Sequence, residues 1–404
     1  MWRAKMNFFK KAYCRTSQAI FKFAIPFLPY TSPKISEKVT DIPLLLEGRT
    51  ALIITDKSIK ELHLTDPLEE SLKAAGIDYA LYDGTVPNPT VANVEEAVRI
   101  YRENNCSAII GFGGGSPIDC AKITGAVIAR PKRDIRKFKG VFRVMRKLPF
   151  LIAVPTTAGT GSETTASALV TDGETHSKFP INDLFLIPDV AILDRDLTLS
   201  LPPRITSTTG MDALTHAVEA FIGRSTVRST REDAKRAVRL IFENLEKAYA
   251  NGNDPEARKN MLYASFYAGR AFAKSYVGYC HAVAHSLGGK YNIPHGLANA
   301  VLLPYVLDAY GDSVYKKLKK LAVYGGICGE EISDKEGAEI FIKHIREMNA
   351  RMGIPTTLQG IKKEDIKKLA VIAEKEANPF YPVPRLFTAE ELETFYYDLL
   401  EENK

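Results

Sequence analysis

Five side chains in the C-terminal half have the types and spacings that hold a metal ion. Asp212 and His216 stand four apart in Gly210-Met-Asp-Ala-Leu-Thr-His216, which puts carboxylate and imidazole on one face of a helix. His281 and His285 repeat the spacing, and His295 follows in Ile-Pro-His-Gly296. An Asp among several His suits Zn2+ or Fe2+, which accept nitrogen and oxygen donors together. Any one of these histidines alone would be read as a hydrogen-bonded core residue; the cluster is what favours a metal. Five candidates compete for about four ligand positions, and spacing leaves open which is in surplus. The remaining histidines, His63, His176 and His344, sit in polar stretches and are expected to face solvent.

A second chemistry is written in glycine. Ser107-Ala-Ile-Ile-Gly-Phe-Gly-Gly-Gly-Ser-Pro-Ile-Asp119 reads as strand, turn and helix. Gly113, Gly114 and Gly115 let backbone approach a ligand closely, Ser116 is expected as the N-cap and Pro117 as the first helical residue. Free N–H groups at such a helix start suit an anion, typically a pyrophosphate. A tight turn without a ligand would not need three consecutive glycines. Pro155-Thr-Thr-Ala-Gly-Thr-Gly-Ser-Glu163 follows another strand and offers more hydroxyls and glycines, or else a capped helix start. Neither turn carries G-x-G-x-x-G with an acid about 20 residues later. The candidate ribose-binding acid, Asp56, instead ends the first strand.

These residues must be held by two kinds of element. Between Thr50 and Asp194 short apolar runs (residues 51–55, 79–82, 108–111, 150–154 and 190–193) alternate with helical patterns such as 91–103 and 118–129. That alternation predicts a parallel sheet covered on both faces. After Leu201-Pro-Pro203 only long helical periodicities follow, for example 232–250, 257–273 and 336–352. The reading is a basic, apolar leader over 1–40, an α/β domain over 41–200 and an all-α metal and substrate domain over 201–404. A ligand is expected between the two domains.

The chain has 404 residues, 45% apolar and 25% charged, which excludes disorder, collagen and coiled-coil rods. Five dispersed cysteines with no C-x-x-C exclude a disulfide framework and a zinc ribbon, and reduced thiols in a cytoplasmic enzyme are expected. The net charge of +6 is local: seven Lys and Arg and no acid precede Glu37, so the rest of the chain sums to about −1. Nucleic acid is therefore not an expected partner. The leader's apolar patch, residues 19–30, holds Lys22, Pro26 and Pro29 and is too short to span a bilayer. A helix lying on the protein's own apolar surface is the expectation for it, with a membrane-surface helix and an organelle presequence as the alternatives.

Taken together the sequence resembles the iron-containing alcohol dehydrogenase family from about Thr50 to Pro384. The resemblance rests on Val86-Pro-Asn-Pro-Thr90, Gly113-Gly-Gly-Ser-Pro-Ile-Asp119, Pro155-Thr-Thr-Ala-Gly-Thr160, Gly210-Met-Asp-Ala-Leu-Thr-His216 and His281-x3-His285-x9-His295. It implies NAD in the α/β domain and one divalent metal, Fe2+ before Zn2+, in the helical domain. By the same resemblance Asp212, His216, His281 and His295 match the metal ligands, and His285 matches a histidine beside the nicotinamide. Gly114, Gly115 and Ser116 match the pyrophosphate site. Gly113, Asn88, Asp119, Thr156, Thr157, Thr160 and Lys178 fall near the cofactor, and Asp56 matches the acid on the adenosine ribose. The leader lies outside the resemblance. Lys274 stands where many members have an amide or another residue, close to Phe272, which matches a pocket-lining aromatic.

The implied activity interconverts a small primary alcohol or diol and its aldehyde. The metal acts as a Lewis acid on the alcohol oxygen, hydride passes to the nicotinamide, and His285 relays the proton. A homo-oligomer is expected. A hydroxyacid–oxoacid transhydrogenase with tightly bound NAD and a metal-dependent lyase or hydrolase are the other enzymatic readings; a non-catalytic scaffold gives no reason for the cluster.

Overall fold

A computed structural model describes residues 6–24, 29–173 and 178–400. It divides into two compact units: residues 29–201, and residues from 202 onward together with the N-terminal helix.

Among its described residues the first unit carries nine strands. These are β1 (Lys34–Ser36), β2 (Ala51–Ile54), β3 (Tyr79–Tyr82), β4 (Ala108–Gly113), β5 (Gly140–Val141), β6 (Phe150–Pro155), β7 (Ser167–Thr171), β8 (Lys178–Asn182) and β9 (Val190–Ile192). Six of them form one parallel sheet in the order β1-β9-β6-β4-β2-β3. Its central strands are apolar on both faces, as a parallel sheet sandwiched between helices requires. Leu52, Ile54 and Ile109 share a core with Val94 and Ala97 of one helix and Ile123 of another. Ala51, Ile53 and Ile110 point the other way, onto Ile42, Leu46, Leu68 and Leu72. Burying side chains such as Ile53 and Ile54 contributes roughly 1.5–3 kcal/mol each.

The connecting helices are α2 (Ile42–Leu46), α3 (Lys57–Glu61), α4 (Asp66–Ala74), α5 (Val91–Glu103) and α6 (Gly115–Ala129). The start of α5 is fixed by a reciprocal cap between Thr90 and Asn93, and its buried stripe is Val91, Val94, Ala97, Val98 and Tyr101. The five expected strands are all present. Sequence reasoning missed β1, inside the basic leader, and a separate sheet ordered β5-β8-β7. β8 pairs antiparallel with β7 and carries Pro180, a residue that argues against a strand except at edges.

The second unit is helical: α1 (Phe8–Ala24), α7 (Pro203–Ile222), α8 (Arg228–Ala250), α9 (Pro255–Phe272), α10 (Tyr279–Tyr291), α11 (His295–Tyr310), α12 (Tyr315–Tyr324), α13 (Asp334–Arg351), α14 (Lys363–Ala377) and α15 (Ala389–Asp398). Every residue of α7 from Gly210 to Ile222 is buried, which makes it the central helix of the unit. All five cysteines are free. Among the described residues no helix is long and apolar enough to cross a membrane.

Candidate functional site

Three helices of the second unit converge on one point. Asp212 and His216 project from the middle of α7, His281 from the first turn of α10, and His295 is the first residue of α11. Their ligand atoms all lie within 4.8 Å of one another, and three of the four residues are buried. The approach of α11 to α7 depends on Gly296, where a Cβ would sit 2.5 Å from the Thr208 carbonyl oxygen.

The hydrogen bonds around the cluster set the state of its donors. Glu219, one turn beyond His216 on α7, accepts from Gly278 N–H (2.7 Å), Cys280 N–H (2.8 Å) and His281 Nδ1 (2.6 Å). It thus caps α10 from outside and fixes the His281 proton on Nδ1, leaving the Nε2 lone pair for the cluster. That Nε2 is buried and makes no hydrogen bond within the protein. Burial, then the neighbouring His295 and His285, hold the His281 imidazole well below its ordinary pKa, so it is neutral, the form a metal needs. Asn299 donates to Asp212 Oδ1 (2.7 Å) and lies 3.1 Å from His295 Nε2. A buried carboxylate facing three imidazoles is costly without a cation at the centre. The donor set fits a divalent ion taking nitrogen and oxygen ligands.

His285 is not one of the four. Its ring stacks on His295 at 5.1 Å, and its Nδ1 meets Glu376 Oε1 at 2.6 Å. Tyr381 OH donates to the same oxygen (2.8 Å). Burial pulls the His285 pKa down, but the Glu376 charge and hydrogen bond outweigh it and the net shift is upward. Phe272 stacks on His216 at 4.2 Å. Lys274 reaches Asp233 Oδ2 at 3.3 Å, on the carboxylate that Arg270 also binds. Of the other histidines, His63 is exposed and paired with Asp66. His344 is half-buried against Phe242, not solvated, because α13 turns it inward. His176 lies outside the described residues.

In the first unit the glycine turn follows β4. Gly113 has φ +145°, where a Cβ would meet Pro117 Cγ at 2.7 Å. Gly114, not Ser116, is the N-cap of α6; Ser116 Oγ instead accepts from Asn88 N–H at 3.2 Å. Helix α6 therefore opens with the free N–H groups of its first residues. The second turn lies against the first: Thr156 N–H donates to Gly113 O (3.0 Å), and Thr157 and Thr160 flank Gly114 and Gly115. Asp119 is spent inside the protein, accepting from Ser162 Oγ (3.0 Å) and Leu169 N–H (2.9 Å), and so braces the two turns. Thr171 bonds to Asn88 and Pro89 and pairs in register with Lys178, which places Lys178 opposite Thr171 in the smaller sheet. Asp56 caps α3 through Oδ1 (3.0 Å from Ile59 N), leaving Oδ2 for another donor.

Glu219, Asn299, Glu376 and Tyr381 join the site without being among the residues the sequence motifs mark. Glu219 had a signal, since Asp212, His216 and Glu219 follow a 4,3 spacing on α7. Glu376 stands 91 positions from His285 and had none.

Known proteins resemble the chain in both sequence and fold. Over 368 residues, 90% of this chain and 95% of the relative, the protein is 39% identical to a 1,3-propanediol dehydrogenase of Citrobacter freundii. A crystal structure of a 1,3-propanediol oxidoreductase matches with a TM-score of 0.88 at 36% identity, covering 92% of this chain and 99% of that one. A sulfoacetaldehyde reductase of Bifidobacterium kashiwanohense, solved in complex with NAD+, matches with a TM-score of 0.81 at 28% identity over 92% of this chain and 98% of that one. Residues 35–195 match the iron-containing alcohol dehydrogenase family, and residues 206–400 match the C-terminal region of the same family. With both units matched and the metal-fitting cluster in the helical one, the chain belongs to the iron-containing alcohol dehydrogenase family.

Proposed function

We propose that the chain interconverts a small primary alcohol or diol and its aldehyde by hydride transfer with NAD(H), at one divalent metal held by Asp212, His216, His281 and His295. The observation that carries this is the convergence of one carboxylate and three imidazoles within 4.8 Å, in a chain 39% identical to a propanediol dehydrogenase. A bound Fe2+ (or Zn2+) supplies Lewis acidity toward an alcohol oxygen, and NAD supplies the hydride acceptor.

The chain's own residues do the rest. Glu219 and Asn299 hold His281 and Asp212 in position. His285, anchored through Nδ1 to Glu376, takes up the hydroxyl proton at Nε2 and passes it to solvent. The N–H groups of Gly115 and Ser116 receive the pyrophosphate at the start of α6, with Gly113, Gly114, Thr157, Thr160, Asn88 and Lys178 around it. Thr156 and Asp119 act from behind, by fixing the turns. Asp56 takes the adenosine ribose.

The test is absorbance at 340 nm with metal-loaded protein and a panel of short primary alcohols and diols. NADH should appear with NAD and alcohol, and disappear with the matching aldehyde. Stoichiometric NAD retained through purification, with hydride exchanged only between hydroxy and oxo acids, would establish the transhydrogenase reading instead. Metal-dependent turnover without any redox change would establish the lyase.

A further inference from the structure

We propose that the N-terminal helix α1 is an attachment site for an anionic membrane surface. The helix does lie on the second unit, but with its polar side inward. Gln18, 3% exposed, donates to Tyr381 O at 2.7 Å. Arg15 donates to Val383 O (2.8 Å) and Pro384 O (2.9 Å), and Lys10 pairs with Glu374 at 2.7 Å. Cys14 is buried, and Phe21 meets Tyr276 and Phe380 edge-on. These contacts fix the rotation of the helix about its axis.

The opposite side is apolar and faces outward. Phe9, Tyr13, Thr16 and Ile20 follow a 4,3,4 spacing that makes one stripe, with Phe8, Ala12 and Ala19 beside it, and all seven are exposed. Among the described residues six large apolar side chains are more than 60% exposed; five are Phe8, Phe9, Tyr13, Ile20 and Phe23 of α1, the sixth being Leu44. A soluble surface helix normally turns such a stripe inward. Here the polar anchors prevent it.

Charge selects the occupant. Helix α1 carries no acid, and of its four basic residues Lys10 and Arg15 are engaged by the second unit while Lys11 and Lys22 are exposed. Lys22 lies close enough to Lys317 to act on it together with Arg224 and Arg231; burial first, then these three like charges, hold the Lys317 ammonium down to about 8. Two copies packed stripe to stripe would set this positive charge against itself with no acid on the helix to pair it. An anionic lipid surface supplies the counter-charge, and exposed Phe and Tyr beside Lys are the composition of helices that lie in the headgroup boundary.

The experiment is co-sedimentation of the full chain with sucrose-loaded phosphatidylglycerol or phosphatidylcholine vesicles at low and high salt. Pelleting should occur with phosphatidylglycerol, fall with salt and be weak with phosphatidylcholine. The double variant Phe9→Ser/Ile20→Ser should partition at least tenfold less, and Lys11→Glu/Lys22→Glu should lose the lipid-charge dependence, both with 340 nm turnover unchanged. The proposal is overturned if the wild type stays in the supernatant with phosphatidylglycerol, or if both double variants pellet as it does. It is equally overturned if the wild type ignores vesicles and sediments as an oligomer that Phe9→Ser/Ile20→Ser dissociates, because the occupant is then a second copy.

Discussion

At Gly113–Ser116 a ligand would meet backbone, whereas at Asp212, His216, His281 and His295 it would meet side chains drawn from three helices. The first region is contiguous: a strand, a glycine with φ +145° and a helix start, with the local conformation dictated by the residues themselves. The second is assembled from positions 212 to 295, and its donors are aligned by groups that bind no ligand, Glu219 and Asn299. A backbone site should therefore fail through strain and loss of cofactor affinity. A side-chain site should fail through loss of donors and of the contacts that orient them.

The largest expected effect is on the assembled site. Stripping divalent metal with a chelator should lower alcohol-dependent NADH formation at least about a thousandfold, because Lewis-acid stabilisation is worth several kcal/mol at about 1.4 kcal/mol per decade. Adding back Fe2+ or Zn2+ should restore the 340 nm rate, while NAD binding to the stripped protein should persist. Glu219→Gln comes next: its amide keeps one acceptor oxygen but turns an NH2 donor toward at least one of the three N–H groups. Metal affinity, measured by competition with a chromophoric chelator, should weaken about 10–100-fold.

The same contrast explains what the sequence made legible. β2, β3, β4, β6 and β9 were readable because strands buried on both faces are short apolar runs, and the glycine turn because its function needs unusual residues in a row. β1 escaped because three residues, Lys34–Ser36, pair only at an edge with β9 and sit in a basic leader. β5 has two residues and β8 a proline, so neither carries a strand pattern. The four-residue metal cluster was visible as spacing, but spacing alone did not separate His285 from the rest. What separates it is Glu376, which approaches from α14 and draws His285 into a different hydrogen-bond network. Long-range partners of that kind leave no local trace.

Two smaller effects sharpen the comparison on the backbone side. Gly113→Ala should cost about 1–3 kcal/mol of stability or NAD affinity, since an L-residue rarely adopts that φ and its Cβ would press on Pro117. Thermal unfolding and NAD titration together measure it, with metal content unchanged. Asp56 should favour NAD over NADP, because a 2′-phosphate brings like charge to its carboxylate at a cost of about 1–4 kcal/mol. Lys57 beside it offsets part of that, so kcat/KM for the two cofactors should differ by about tenfold and converge in Asp56→Gly. The lost cap on α3 would lower stability by only a few tenths of a kcal/mol, because glycine is itself a tolerated N-cap, and would not by itself alter cofactor choice.

The measurement that bears most directly on the central claim is the metal content of purified His281→Ala and His285→Ala proteins beside the wild type, with turnover at 340 nm recorded on each. One divalent ion per chain is expected in the wild type and in His285→Ala, the latter with reduced turnover, and a metal-free, inactive His281→Ala. A His281→Ala protein that keeps its metal while His285→Ala loses it would contradict the assignment.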